Sequence, residues 1–285
     1  MREIVIDSFA GGGGASTGIE WALHAMGAPD PFVDIAINHN GAALAMHAAN
    51  HPSTIHLESD IWTVDPLSQT VGRPVGLLWA SPDCRHFSRT KGQTPISKNV
   101  RGLAWSIAHW AEQCHPRIIM LENVPEFQSW GPLMMGPNGD EIPDPKRAGE
   151  TYRAWISRFK KLGYRIDWRK LSACDYGAPT SRERLYIIMR NDGQPIVWPA
   201  PTHGDPRSDA VIEEKLLPWD TAYDIVDWDA AAPTIFVEST RLGMLGMAKE
   251  RAENTMSRVA RGVERFVLGD DPCVVDLWPR GKAAV

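Results

Sequence analysis

Apolar strand-like runs alternate with helix-like stretches through the first 190 residues. This alternation limits the possible folds more than any other feature of the chain. Strands are predicted at Ile4–Ile6, Val33–Ile37, Val75–Ala80, Ile118–Leu121, Tyr164–Leu171 and Arg184–Met189, and helices at Ser16–Met26, Gly41–Ala49, Arg101–Cys114 and Gly149–Leu162. Such an order implies an α/β fold with a mostly parallel sheet covered on both faces. The last two strands are joined only by Ser172–Arg182, which shows no helical pattern. A parallel crossover needs a helix-length connection, so this pair is predicted to be an antiparallel hairpin at one edge. Trp130–Arg147 is rich in Gly, Pro and Asp and reads as a loop or small hairpin.

Beyond Arg190 the texture changes. Gln194–Pro206 carries four prolines and the alternation fades. A domain of residues 1–190 and a smaller region of residues 191–285 are therefore expected. A helix is predicted at about Thr240–Leu268, where Leu242, Leu245, Ala252, Met256, Val259, Val263 and Phe266 form an apolar face. Hydrophobic residues make up 43% of the chain, enough for a sizeable core. The net charge of −5 argues against coating nucleic acid by bulk charge, but a local basic cleft remains compatible with it. The four cysteines are far apart and form no CxxC, which speaks against a structural zinc site or a disulfide framework. No run of about 18 apolar residues predicts a membrane span, and the chain starts directly on a strand. A cytoplasmic setting with reduced thiols is the expectation.

The first strand breaks into a glycine turn, Asp7-Ser8-Phe9-Ala10-Gly11-Gly12-Gly13-Gly14-Ala15-Ser16, before the first helix. Glycines allow positive φ and close approach of a ligand to the backbone. Turns of this kind at the carboxyl edge of a parallel sheet bind nucleotides, although a turn with no ligand has the same look. A nicotinamide dinucleotide site expects GxGxxG and a carboxylate after the second strand. The spacing here differs, and the second strand ends at Ile37-Asn38-His39. A phosphate-binding P-loop is excluded, because no Gly-Lys-Ser/Thr follows the glycines.

The strand Val75–Ala80 opens into Ser81-Pro82-Asp83-Cys84-Arg85-His86-Phe87-Ser88. Cys84 therefore sits in polar surroundings rather than in an apolar core. Arg85 and His86 favour a thiolate there and Asp83 opposes it. A nucleophilic role and a structural one both stay open on local context. Cys114, Cys174 and Cys273 have settings that read as structural.

Four segments together resemble the cytosine-5 DNA methyltransferase family. Asp7-Ser8-Phe9-Ala10-Gly11-Gly12-Gly13-Gly14 resembles the family's D-L-F-A-G-x-G-G. Ser81–Ser88 resembles its P-C-Q-x-F-S loop, Glu122-Asn123-Val124 its E-N-V, and Gly177-Ala178-Pro179-Thr180-Ser181-Arg182-Glu183-Arg184 its G-x-P-Q-x-R-x-R. They follow the family's order over residues 1–190, and the P-D-C variant is most similar to enzymes of phages and prophages. The resemblance implies a Rossmann-like methyltransferase fold that binds S-adenosylmethionine and releases S-adenosylhomocysteine. It further implies that Cys84 adds to carbon 6 of cytosine so that carbon 5 can accept a methyl group. Glu122 would serve ring nitrogen N3 with a raised pKa. Arg184 would hold the cytosine O2, Arg182 would support that loop, and Asn123 would brace the Cys84 loop. Phe9, Gly11, Gly13, Asn38, His39, Asp60, Ile61, Ser81 and Leu103 would form the cofactor site. The base must leave the duplex stack, at a cost of a few kcal/mol.

Departures from the family pattern accompany these matches. Asp83 stands where the family has Pro, Arg85 where it has Gln, and Thr180 where it has Gln. Asn38 replaces a ribose-binding Glu, so that contact loses its charge assistance. No G-N-x-V motif and closing helix are found, and residues 191–285 read as an incomplete target-recognition region. A second subunit or a homodimer is one way to complete the pocket. Double-stranded DNA is the expected partner. Arg85, Arg89, Lys91, Lys98 and Arg101 after Cys84, and the basic residues of the 240–268 helix, are candidates for phosphate contacts. A restriction-modification setting fits the resemblance. An RNA cytosine methyltransferase and a non-catalytic or split-enzyme DNA-binding subunit remain as alternatives.

Overall fold

The computed structural model describes residues 2–83, 102–136 and 141–226. Cys84, the basic residues from Arg85 to Arg101 and the expected 240–268 helix lie outside them. Long-range contacts divide the chain into two compact units. One comprises Met1–Asp175 and Ser181–Pro201; the other comprises Tyr176–Thr180 and the described residues from Thr202 onward.

The larger unit is built on one sheet. Its elements in chain order are β1 (Ile4–Ser8), α1 (Gly14–Ala25), β2 (Ile35–Asn38), α2 (Gly41–Asn50), β3 (Ile55–Glu58), α3 (Pro66–Thr70), β4 (Val75–Ala80), α4 (Ala104–Cys114) and β5 (Ile118–Asn123). A short hairpin of β6 (Leu133–Met135) and β7 (Glu141–Pro143) follows, then α5 (Glu150–Lys161), β8 (Arg165–Ser172) and β9 (Glu183–Arg190). The seven sheet strands run in the order β3-β2-β1-β4-β5-β9-β8. The first five are mutually parallel, whereas β9 is antiparallel to both β5 and β8. This is the α/β, Rossmann-like arrangement with an antiparallel edge hairpin that the alternation predicts.

Two elements of the seven-stranded unit, β3 and α3, were not evident in the sequence. Strand β3 is an edge strand with exposed or half-buried residues throughout, so Ile55-His56-Leu57-Glu58 lacks the apolar run of a central strand. Helix α3 has only five residues, started by the Asp65 carboxylate on the Ser68 N–H and by Pro66 at its first position. Such a piece is too short to show helical periodicity.

The core lies on one face of the sheet. Ile4, Ile6, Leu78, Ile119, Leu121, Leu185 and Ile187 are buried there against α4 and α5. Helix α5 brings Trp155 and Phe159 into this core, their rings 4.7 Å apart in an edge-to-face contact, and the Trp155 indole N–H donates to the Ala104 carbonyl at 2.8 Å. On the other face, α1 and α2 flank β1 and β2. Between α1, with Ile19, Ala22 and Leu23, and the strands β4, β5 and β9, with Leu77, Trp79, Ile118, Met120 and Tyr186, lies an open cavity of about 940 Å³. Among the described residues no helix is long and apolar enough to cross a membrane.

In the smaller unit, β10 (His203–Gly204) pairs in parallel with β11 (Leu217–Pro218) around a one-turn helix at Asp209–Ile212. Gly177 has φ +84°, and a Cβ there would meet the His203 ring at 2.9 Å.

Phe159→Ala is expected to destabilise the chain by about 3–5 kcal/mol, the usual cost of emptying a buried aromatic site. Denaturant unfolding checks this, and a loss below about 1 kcal/mol would contradict the placement of the core.

Candidate active site at the carboxyl edge of the sheet

The strand order reverses between β1 and β4. Connections leave in opposite directions at such a point and open a crevice at the carboxyl ends of the strands. Here the glycine turn after β1 and the segment after β4 become neighbours. Ser8 pairs with Ala80, and Ala80 with Leu121. The Ser81 N–H donates to the Ser8 carbonyl at 3.3 Å. Ser81, Pro82 and Asp83 are the described residues that lead to Cys84, so that segment leaves the sheet beside the turn.

The glycines divide by environment. A Cβ on Gly12 would meet the Met46 sulfur at 2.6 Å, and one on Gly13 would meet the His51 ring at 2.6 Å. Gly13 also has φ +104°, a conformation that L side chains rarely adopt. Gly13 is required by both its conformation and the buried His51 ring, whereas at Gly12 the exposed Met46 side chain could move aside. At Gly11 and Gly14 a Cβ would meet nothing within 4 Å, which leaves room for a ligand against the backbone. Phe9 adopts φ 63° and is half-buried against the core.

The other residues expected around a cofactor are distributed as follows. Asn38 ends β2; its amide nitrogen donates to the Ala10 carbonyl and its oxygen accepts the Asn40 N–H at 2.9 Å. Its amide group therefore holds the turn as well as facing its own loop. His39 is exposed beside it. Asp60 is exposed, with its carboxylate accepting the Trp62 N–H at 3.0 Å. Ile61 is buried in the core rather than open to the edge. Leu103, half-buried, stands at the start of α4 and Ser81 is half-buried after β4.

Glu122 and Asn123 end β5. Asn123 is buried; its amide nitrogen donates to the Pro82 carbonyl at 3.1 Å and its oxygen accepts the Val124 N–H at 2.9 Å. It thereby ties β5 to the segment preceding Cys84. Glu122 pairs with Arg184 on β9, with the Arg184 Nε 3.0 Å from the carboxylate. Both side chains are partly exposed. Burial raises the Glu122 pKa above the usual carboxylate value, and the positive charges of Arg184 and Arg182 only partly offset this. The open cavity along the sheet ends at Ser81, Glu122, Arg182 and Arg184.

Sequence reasoning missed a set of polar side chains beneath the turn. Asp7, Ser16 and His47 are all but inaccessible to solvent. Ser16 Oγ donates to Asp7 at 2.8 Å and lies 2.9 Å from His47 Nε2. Burial pushes the Asp7 carboxyl up to about 6 and the His47 ring down to about 4. The available signal was the i, i+4 spacing of His47 and His51 on one side of α2.

A family model described as C-5 cytosine-specific DNA methylase matches residues 4–216. The Type II methyltransferase M.AgeI of Thalassovita gelatinovora is 30% identical over 213 residues, covering 73% of this chain and 44% of that protein. The Type II methyltransferase M.AquIA of a Picosynechococcus strain is 25% identical over 237 residues, covering 79% of this chain and 88% of that one. A solved structure, of an E. coli prophage-encoded protein described as a DNA modification methyltransferase, superposes with a TM-score of 0.50 at 24% identity. It covers 66% of this chain and 47% of its own. The chain spans about half the length of the first curated relatives, 44%, 50% and 60%.

Two expectations follow from the electrostatics. Arg184→Ala should raise the Glu122 pKa further, read from its carboxyl carbon shift in a pH titration; an unchanged midpoint would contradict the pairing. For Asp7, the unfolded carboxyl ionises near 3.8 and the folded one near 6. Between these values the folded chain holds the extra proton, so stability falls as pH rises through that window. Asp7→Asn should flatten that part of the stability curve.

Proposed function

Because the chain belongs to the family of C-5 cytosine-specific DNA methylases, we propose that it transfers a methyl group from S-adenosylmethionine to carbon 5 of cytosine in double-stranded DNA. The observation that carries this reading is the meeting, at one sheet edge, of the glycine turn, the segment leading to Cys84 and the Glu122–Arg184 pair. Relatives named as Type II methyltransferases support a modification role of the restriction-modification kind.

The residues at the turn fit the cofactor. Gly11 and Gly14 leave open space at the backbone, and Phe9, Asn38 and Asp60 lie at or just beyond the carboxyl ends of β1, β2 and β3 at the same edge of the sheet. Phe9, Gly11, Gly13 and Ser81 would hold the methionine and ribose region, and Asp60 would accept from the adenine amine. When bound, the cofactor supplies an electrophilic methyl group on a sulfonium.

The chain's own groups prepare the acceptor. The Cys84 thiolate forms a carbon–sulfur bond at carbon 6 of the extruded cytosine. The electron pair of the 5,6 double bond moves toward carbon 5, and the ring's developing negative charge is met at N3 and O2. Glu122, protonated more readily than an ordinary carboxyl because it is buried, donates at N3. Arg184 holds O2, and its charge limits how far the Glu122 pKa rises. Asn123 fixes the start of the nucleophile segment through Pro82. After methyl transfer, the carbon 5 proton passes to solvent water, the Cys84 sulfur leaves as a thiolate and the N3 proton returns to Glu122, which restores the aromatic ring.

Transfer of labelled methyl groups tests the reading. Incorporation into duplex DNA, with none into transfer RNA, is the expected result. Glu122→Gln should slow it by about a hundredfold or more, the scale of a lost acid or base. Incorporation into transfer RNA alone would move the assignment to RNA.

A further inference from the structure

Helix α2 forms a platform under the glycine turn. Met46 and His51 fill the space where side chains on Gly12 and Gly13 would stand, and the Asn50 amide donates to the Gly12 carbonyl at 3.3 Å. Two histidines one helical turn apart add hydrogen bonds whose direction can be worked out from their partners.

The first chain runs through His47. Its Nδ1 lies 2.8 Å from His56 Nε2 on β3, and its Nε2 lies 2.9 Å from Ser16 Oγ on α1. Ser16 spends its one proton on Asp7 of β1. The Ser16 oxygen must then accept from His47 Nε2–H, which leaves His47 Nδ1 bare to accept from His56 Nε2–H. One direction of donation, from His56 through His47 and Ser16 to Asp7 Oδ2, gives the His47 ring and the Ser16 hydroxyl their partners; the other Asp7 oxygen, Oδ1, is buried without one. It ties β3, α2, α1 and β1 together around the start of the turn.

The second cluster is built on His51. Its Nδ1 lies 2.9 Å from the Glu20 carboxylate and its Nε2 lies 3.1 Å from the Gly13 carbonyl. Thr17 Oγ1, 3.3 Å from the same nitrogen, already donates to Gly13 O at 2.9 Å. Every neighbour of the His51 ring is therefore an acceptor, and its Nε2–H donates to the Gly13 carbonyl. The His51 ring is almost wholly buried, its centroid 4.6 Å from that of His47. Burial of His47, aided by the neighbouring His51 and His56, pushes its pKa down and favours the neutral ring that the first chain requires. The groups do not form a metal site: among the described residues no set of His, Cys, Asp and Glu has the geometry to hold an ion.

We propose that His47 and His51 are positioning residues for the methyl donor. His51 clamps the Gly13 carbonyl from below, and His47 locks α1 onto β1 through Ser16 and Asp7. Together they fix the turn in the shape that leaves Gly11 and Gly14 open. Their effect on cofactor affinity runs through Gly13 rather than through direct contact. This inference rests on the reading that the turn binds S-adenosylmethionine.

Two substitutions of His51 separate positioning from simple filling. Gln places an amide N–H near the position of Nε2 and keeps the Gly13 contact. Asn places its amide near Nδ1, keeps Glu20 and loses Gly13. Calorimetry with S-adenosylmethionine on the full chain should show His51→Asn weakening binding about tenfold, the scale of a lost hydrogen bond. His51→Gln should stay within about threefold of the parent. Hydrogen exchange on the unliganded proteins gives a second readout. Exchange at the Thr17 amide, which donates to the same Gly13 carbonyl at 2.8 Å, should accelerate in His51→Asn and not in His51→Gln, while β2 amides keep their protection. Equal behaviour of the two variants, in either direction, overturns the proposal. If the parent binds no S-adenosylmethionine, the cofactor reading fails, and the Thr17 exchange alone decides whether His51 holds the turn.

Discussion

The parallel ladder between β1 and β4 is the contact on which the remaining architecture depends. It puts Ser8 opposite Ala80, so two loops separated by more than 60 residues in sequence emerge side by side. Helices on one side of that junction lead toward β2 and β3, and those on the other toward β5. The crevice between them receives the glycine turn from one strand and residues 81–83, which lead to Cys84, from the next. β5 then adds Glu122 and Asn123 one strand further along, and antiparallel β9 returns Arg184 to the same edge. A slip of one residue in the β5–β9 ladder would turn Arg184 to the face opposite Glu122.

Much of this was legible in the sequence because the central strands are apolar runs bounded by polar turns. β4 begins and ends where the run Val75–Ala80 does, and β5 extends the predicted Ile118–Leu121 by Glu122 and Asn123. Edge strand β3 was not legible, since an exposed strand needs no apolar pattern. Nor was the division of labour within the glycine turn. Gly13 looks the same as Gly11 in the sequence, and only its positive φ and the His51 ring beneath it tell that the fold requires it. Asn38 illustrates the same limit. Its position after β2 suggests a ligand contact, but its bond to the Ala10 carbonyl arises only once the turn has closed over β2. The histidines of α2 had a visible spacing, yet a polar i, i+4 pair more often marks a solvated helix face than a buried one. What made the difference is that Ser16 and Asp7 wait opposite His47.

Glu122 shows how the site balances opposing effects. Burial disfavours its charge, and two arginines favour it, one by direct pairing at 3.0 Å. Burial prevails, which leaves the carboxyl more easily protonated than one in water. A fully exposed carboxylate would be a poor donor near neutral pH, and a fully buried one without Arg184 would rarely ionise between turnovers. The intermediate setting suits a group that must give up a hydrogen bond donor and recover it.

The central claim is that Cys84 forms a bond to the cytosine ring before the methyl group moves. A trapping assay on duplex DNA carrying 5-fluorocytosine measures this directly, because fluorine at carbon 5 cannot leave as a proton does and the adduct cannot resolve. The account predicts a covalent protein–DNA complex that forms only with S-adenosylmethionine present and disappears in Cys84→Ser. An adduct that persists in that variant, or methylation of ordinary cytosine by a chain that never traps, would contradict it.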